Sequence, residues 1–477
     1  MEAGGLRVLR RGRRGRAAAR DGRGGVTQSF IQSKETTMSV SRIPRFYKLS
    51  VEERHVELRG RLDLDDDDLR ILESGWHGSL SIDAANNMVE NVISTHALPL
   101  GLGLNFRVND RDYIVPMCVE EPSVIAAASN AAKSVRDGGG FTADADPPIM
   151  IAQVQIVGVP DTNVACVEIL ARRAELMAAC DAAIPSLVRR GGGARGIEVR
   201  TLVASSEHEP GMLVVHLLVD CQDAMGANMV NTVAESVARR LAELAGGEPG
   251  LRILSNLADR RLVRVRCLVP LHALETKNFS GERVRDGVVA ASRFAELDPY
   301  RAATHNKGIM NGVDAVVLAT GNDWRGVEAG AHAYAARDGR YRPLAIWRVG
   351  PGGMLQGDLE MPMVVGTVGG TTRAHPGARL VMKLLGHPGA AELGMLIASV
   401  GLASNLSALR ALACEGIQRG HMSLHARSVA MNAGASGALV EQVARELSEL
   451  GDVRLERAVA IMARYTATSD ALADAGE

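Results

Sequence analysis

Four short segments set a proton-transferring or charge-stabilising side chain beside glycine or a turn. They are VEEPS, with Glu121 and Ser123; THNKGIMNG, with Lys307; GNDWR, with Asp323; and GHMSLH, opening on His421. A carboxylic acid, an ammonium, a carboxylate and an imidazole can together deliver protons and hold a developing oxyanion. Each has a plainer reading alone. A lysine is usually a solvated surface charge, an aspartate after asparagine a turn residue, and a carboxylate ahead of Pro122 a helix cap. The run from His305 to Gly308 reads as a loop carrying Lys307. His421 and His425 share a helical face, as metal pairs do. HMSLH lacks the glutamate that follows the first histidine of that motif and has no third ligand, so no metal is expected.

A fifth segment, DAMGANMVN, works through its backbone. Asp223 can cap the helix that follows, while Gly226 and Ala227 leave the first turn bare, so that N–H groups and the helix dipole can face a pyrophosphate. A small-residue packing seam explains the same pattern and stays open. GLGLNF lacks the third glycine of a dinucleotide fingerprint and is read as packing or loop backbone.

The elements that must position these groups fall into blocks. Residues 51–74 read as helical around an acidic turn, followed by a helix from Ile82, the strand YIVPMCV, and a helix with Pro122 in its first turn and glycine from Gly138 at its end. Between 149 and 270 the pattern is strand, long helix interrupted at Pro185, two strands, helix, and a fourth strand RLVRVRCLVP: a split βαβ, or ferredoxin-like, order. From Leu406 the chain is mostly helical, hinged near Gly420. The expected fold is α+β. A large mixed domain (38–147 plus 260–414) holds an inserted ferredoxin-like domain (148–259) and is followed by a C-terminal helical flap (415–477).

At 477 residues two or three domains are expected. Apolar residues make up 46%, which suits a globular protein, and the formal net charge of −1 excludes a global attraction to nucleic acid or anionic membrane. With 3% aromatics, base-stacking platforms are not expected. Six cysteines without any CxxC read as thiols in a reducing cytosol. No apolar run is read as a membrane span of roughly 20 residues. Residues 1–37 are Arg/Gly-rich and read as a disordered extension; a transit peptide and a true start at Met38 remain open alternatives.

Together the five segments resemble the soluble second class of 3-hydroxy-3-methylglutaryl-CoA (HMG-CoA) reductases, over nearly all the chain from Ser41 onward. The resemblance implies a cytoplasmic enzyme that interconverts HMG-CoA with mevalonate and coenzyme A, using NAD(H) or NADP(H), without a metal. It also implies a homodimer with each site built by both chains. By the same resemblance Glu121 is the proton donor to the aldehyde-level oxygen, Lys307 the oxyanion's counter-charge, Asp323 their orienter, and His421 the acid for the departing thiolate. Asp223, Met225, Gly226 and Asn228 would line the cofactor site, and Ser123, Asn256 and Arg301 would contact the hydroxymethylglutaryl group. NADH-preferring relatives carry an aspartate late in the helix before the GGG turn. Counting back from Gly191 places Ile184 there, with Asp181 one turn earlier and Arg189 and Arg190 able to meet a 2′-phosphate. A CoA- or nucleotide-binding homologue without catalysis is the alternative; the four filled chemical positions weigh against it.

Overall fold

The computed structural model describes residues 40–73, 80–202, 212–414 and 426–474, so the first 37 residues, His421 and His425 lie outside the described part. Leu100–Val108 (β1) and Arg111–Cys118 (β2) pair antiparallel. Asn109 and Asp110 close this hairpin with φ of 46° and 65°, the left-handed pair that a tight turn needs. The GLGLNF run therefore lies inside a strand and not in a loop. Its Gly101 has a packing role, because a Cβ there would sit 2.6 Å from Ile125 Cδ1 on the helix Val124–Asp137. Pro116 is tolerated because β2 is an edge strand.

Phe141–Ala145 (β3), Ile149–Val157 (β4), Gly193–Leu202 (β5), Met212–Asp220 (β6), Glu248–Leu254 (β7), Leu262–Val269 (β8), Ala345–Val349 (β9) and Leu355–Pro362 (β10) complete two sheets. The first has the order β2-β1-β3-β8-β10-β9, with β1 and β3 parallel and its other pairs antiparallel. The second, β5-β6-β4-β7, is antiparallel throughout. Its fourth strand is β7, not the RLVRVRCLV segment, which forms β8 in the other sheet. Pro249 and Gly250 hide β7 from a propensity reading, but an edge strand accommodates both. The long helix expected ahead of β5 is three pieces, Thr162–Ala171, Arg173–Ala183 and Pro185–Val188.

Each sheet has its own apolar core. The helices Gly281–Leu297, Pro299–Ala319, Trp324–Ala335 and Ala390–Cys414 pack on the first. The last of these is long and apolar enough to cross a membrane by composition, an apolar run that the sequence reading overlooked; most of it is buried in the protein. It crosses Pro299–Ala319 closely. A Cβ on Gly312 would sit 2.8 Å from the Val400 carbonyl, and one on Gly401 2.8 Å from Val313 Cγ2. A third, separate cluster joins residues 426–432 to the helices Ala438–Leu450 and Leu455–Asp474.

The polar groups inside the first core are paired almost completely. Trp347 Nε1 donates to Asn405 Oδ1 at 2.7 Å, Asn405 donates to the His305 carbonyl at 3.2 Å, and His305 Nε2 meets the Ala345 carbonyl at 3.0 Å. The acceptor carbonyl makes Nε2 the donor, leaving buried Nδ1 without a partner. Burial first, and Arg301 second, push the His305 pKa down to about 4. Between pH 6.5 and about 4 the unfolded chain therefore binds a proton that the fold refuses, and stability falls with pH by up to roughly 3 kcal/mol. The stability advantage of the wild type over a His305→Gln variant should shrink as pH drops through this window in thermal melts. A pH-independent difference would contradict the neutral buried imidazole.

Candidate active site

Lys307 lies on the helix Pro299–Ala319, not in a loop. Asp298 caps this helix through the Arg301 N–H at 2.9 Å, with Pro299 in the first turn. Asn306 pins it by donating to the Arg342 carbonyl and accepting from the Leu344 N–H, both at 2.9 Å. Lys307 points the other way. Its Nζ donates to Glu121 Oε2 at 2.8 Å, and the two side chains are 61% and 42% exposed, so the pair is open to a ligand. Glu121 follows β2, and the next helix begins only at Val124, which leaves Pro122 ahead of it. Ser123 carries φ 77°, a conformation costing about 1 kcal/mol for a residue with a Cβ. Its buried hydroxyl has no hydrogen-bond partner. A strained residue with an orphaned buried hydroxyl is poised to bond something that enters the site. Arg301 is half-buried, its pKa lowered by desolvation, and forms no ion pair among the described residues.

A second cluster forms past the far end of the same helix. Asp323 caps Trp324–Ala335 through the Gly326 N–H at 3.1 Å. A Cβ on Gly326 would lie 2.9 Å from Asp323 Oδ2 and 3.5 Å from Asn256 Oδ1, so both polar groups converge on that glycine. Asn322 Oδ1 accepts from the Gly366 N–H at 2.8 Å. Gly366 in turn abuts the 223–225 loop; a Cβ would come within 2.4 Å of the Met225 nitrogen. The helix Ala227–Ala245 starts after Gly226 at φ 107°, and no side chain caps it. A Cβ on Gly226 would strike Cys221 Sγ at 2.5 Å. Asn228 is exposed in that first turn, beside bare N–H groups. Two glycines that admit no Cβ and an uncapped helix end make a cradle that fits the pyrophosphate of a dinucleotide.

Three expectations need correcting. Asp223 does not cap its own helix. Its Oδ1 accepts from the Ala390 N–H at 2.8 Å and its carbonyl from the Thr367 N–H at 2.8 Å, so it ties the loop to the start of the helix Ala390–Cys414. Ile184 is 6% exposed inside the second core and is not placed to read a ribose. Asp181 accepts from the Ala194 N–H at 2.7 Å, holding down the start of β5. Arg189 and Arg190 are exposed on the turn before β5 and make no ion pair among the described residues. Arg261, Asn322 and Gly366 were not singled out by sequence reasoning. Nothing in the sequence marks Arg261, which reads as the first residue of the strand RLVRVRCLVP. No cluster of three or more metal-ligating side chains occurs among the described residues.

The two clusters do not meet within one chain. From Lys307 to Ala319 the helix rises about 18 Å, and Asp323 lies beyond it. Glu121, Ser123, Arg301 and Lys307 form one half; Asp323, Asn256 and the 223–228 loop form the other.

An exposed lysine–carboxylate pair, and a glycine-walled cradle at an uncapped helix start, are groups that a dinucleotide-dependent oxidoreductase can use. Residues 50–426 match the family model for hydroxymethylglutaryl-coenzyme A reductase, and the chain belongs to that family. It is 46% identical over 425 residues to the 3-hydroxy-3-methylglutaryl-coenzyme A reductase of Archaeoglobus fulgidus, covering 89% of this chain and 94% of that one. A probable 3-hydroxy-3-methylglutaryl-coenzyme A reductase of Borreliella burgdorferi is 32% identical, covering 84% and 88%. Among solved structures, the class II reductase of Streptococcus pneumoniae bound to NADPH is 43% identical with a TM-score of 0.74, covering 77% of this chain and 98% of that one.

Placing a carboxylate at Ile184 should break the second core before it retunes cofactor choice. Ile184→Asp is expected to cost roughly 3 kcal/mol or more by burying an unpaired charge, read as a lowered melting temperature. A variant as stable as wild type with a shifted NAD-to-NADP preference would show that Ile184 faces the ribose after all.

Proposed function

We propose that this chain reduces HMG-CoA to mevalonate and free coenzyme A, or runs the reverse oxidation, at a site assembled from two copies of the chain. The observation that carries this reading is the split between the Lys307–Glu121 half and the Asp323–Asn256–cradle half, each incomplete and each facing solvent. Exposed apolar residues support a covering partner: Val89, Ile93 at 97% exposure, Phe294, Leu297 and Tyr300. The second sheet with its helices, residues 148–259, is the inserted ferredoxin-like cofactor domain. It interrupts the large substrate domain of 38–147 and 260–414, and 415–477 forms the flap that carries His421. Six free cysteines suit a cytoplasmic enzyme.

Two reduced nicotinamides, NADH or NADPH, bound one after the other, would each supply one hydride, the first to the thioester carbonyl and the second to the aldehyde. Asp223, Met225, Gly226 and Asn228 would hold the cofactor, with Arg189 and Arg190, on the turn before β5, available for a 2′-phosphate. Lys307 places its ammonium against the carbonyl oxygen, which gains negative charge as hydride arrives. The tetrahedral hemithioacetal collapses, the carbon–sulfur bond breaks, and His421 protonates the leaving thiolate so that it cannot add back. Glu121 then protonates the oxygen of the aldehyde as it becomes the alcohol of mevalonate. Asp323 of the partner subunit orients Lys307 and Glu121. Ser123 and Arg301, with Asn256 of the partner subunit, bind the hydroxymethylglutaryl group; the orphaned Ser123 hydroxyl and half-buried Arg301 suit a carboxylate-bearing ligand.

The coenzyme A arm has a path. A cavity of about 220 Å³ lies between the helices Val124–Asp137 and Ala390–Cys414, lined by Asn130, Thr276, Ser407 and Arg410. Asn130 is two helical turns from Ser123, about 10 Å along one helix face. The cavity therefore lies on the way that a pantetheine arm would take from the reacting carbonyl, with Arg410 available to a phosphate.

Lys307→Ala should yield a folded protein that still binds HMG-CoA but loses at least about a hundredfold in turnover, since one preorganised donor at an oxyanion contributes on the order of 3–4 kcal/mol. In parallel, His421→Gln should impair reduction of HMG-CoA far more than reduction of added mevaldehyde, because only the thioester releases a thiolate. Less than a tenfold loss in the first variant, or equal losses in both half-reactions of the second, would remove the assigned roles.

A further inference from the structure

Arg261 is 4% exposed, in the turn just before β8. It forms no ion pair among the described residues; its guanidinium is matched to main-chain carbonyls instead. Nη1 donates to Ala224 at 3.3 Å and Met225 at 3.2 Å, and Nη2 donates to Val365 at 2.5 Å. Burying a cation this completely is expensive, and a fork of carbonyls offsets that cost only while the geometry is kept. Desolvation lowers its pKa to about 10, with Cys221, Asp220 and Asp223 opposing, so it stays charged near neutrality.

These bonds fix peptide planes. The C=O and N–H of a trans peptide point in opposite directions. Drawing the Ala224 and Met225 carbonyls onto Arg261 therefore turns the N–H groups of Met225 and Gly226 away from it. The Val365–Gly366 peptide is gripped at both ends, its carbonyl by Arg261 and its N–H by Asn322 Oδ1 at 2.8 Å. Asn322 directly precedes Asp323. One buried side chain thus links the 224–225 loop, the Val365–Gly366 segment and, through Asn322, the loop of Asp323.

We propose that Arg261 is a positioning residue for the dinucleotide: it sets the shape of the 223–226 loop that receives the pyrophosphate, lays a fixed positive charge beneath it, and keeps that loop in register with Asp323. This rests on the assignment of residues 223–228 to the cofactor.

The test compares Arg261→Lys, which keeps the charge and loses the fork, with Arg261→Ala, which opens a guanidinium-sized void. Dissociation constants for NADPH and for HMG-CoA are measured by titration calorimetry on the full-length protein. Both variants should weaken NADPH by about tenfold or more, one decade per 1.4 kcal/mol, while HMG-CoA affinity stays within about twofold. Millimolar guanidinium should restore NADPH binding to Arg261→Ala, and urea, its neutral isostere, should not. Equal weakening of both ligands, or no rescue by guanidinium, overturns the positioning role. Should Arg261→Ala not fold, Arg261→Lys decides through the split between the two ligands. Asn228→Ala separates this idea from the cofactor assignment. If it also leaves NADPH affinity unchanged, the assignment of the loop fails; if it weakens NADPH while Arg261→Lys does not, only the role of Arg261 fails.

Discussion

The rise of a single helix, Pro299–Ala319, separates the two clusters of polar side chains from which the proposed site is built. Lys307 stands in the third turn of Pro299–Ala319 and Asp323 comes after its end, so a fixed 1.5 Å per residue keeps them apart. The helix cannot bend to bring them together. It is wedged against Ala390–Cys414 through Gly312 and Gly401, pinned at Asn306, and anchored on the first sheet through His305. A rigid spacer of this kind holds the Lys307 cluster, at mid-helix, away from the Asp323 cluster past its C-terminal end, the two halves of the proposed site. It also lets a symmetric pair of chains complete two sites at once, because an isologous contact repeats every half-site pairing.

The bracing around the second half-site follows from the same need for separation with fixed register. The 223–226 loop belongs by sequence to the second sheet, yet Asp223 holds the Ala390 N–H and Thr367 holds the Asp223 carbonyl. Arg261 and Gly366 supply the remaining links to the first sheet. Main-chain groups carry most of these contacts. Glycine recurs there because at Gly226 and Gly366 a Cβ would overlap Cys221 or the Met225 nitrogen.

Much of this was legible in the sequence, and the failures have physical causes. Glu121, Ser123, Asp323 and the DAMGAN run sit at turns or helix starts, where glycine, proline and asparagine mark the backbone; the structure places all of them at such positions. The Lys307 helix was hidden by its own packing, since His305, Asn306, Gly308 and Gly312 lower helix propensity. Close crossing with Ala390–Cys414 requires Gly312, and His305 and Asn306 are bound to the 342–345 segment; these tertiary contacts override the propensity. Strand β7 was missed for a related reason: Pro249 and Gly250 are acceptable only at a sheet edge, and edges are not visible in one strand's sequence. The pairing of Asp223 with Ala390 and of Arg261 with three carbonyls joins residues far apart in the chain. Counting back to Ile184 failed because the helix breaks at Arg172 and again at Ile184, which rotates the faces that simple counting assumes.

The central claim is that each proposed site takes Lys307 from one chain and Asp323 from the other, and subunit complementation tests it most directly. Lys307→Ala and Asp323→Ala, each nearly inactive alone, would be unfolded together and refolded as a one-to-one mixture. If sites are shared, half the dimers are mixed and each mixed dimer has one intact site in two, so about a quarter of wild-type activity returns, by the pairing rule of a two-fold interface. If the mixture stays as inactive as its parts while mixed dimers are shown to form, both residues act within a single chain and the account is wrong.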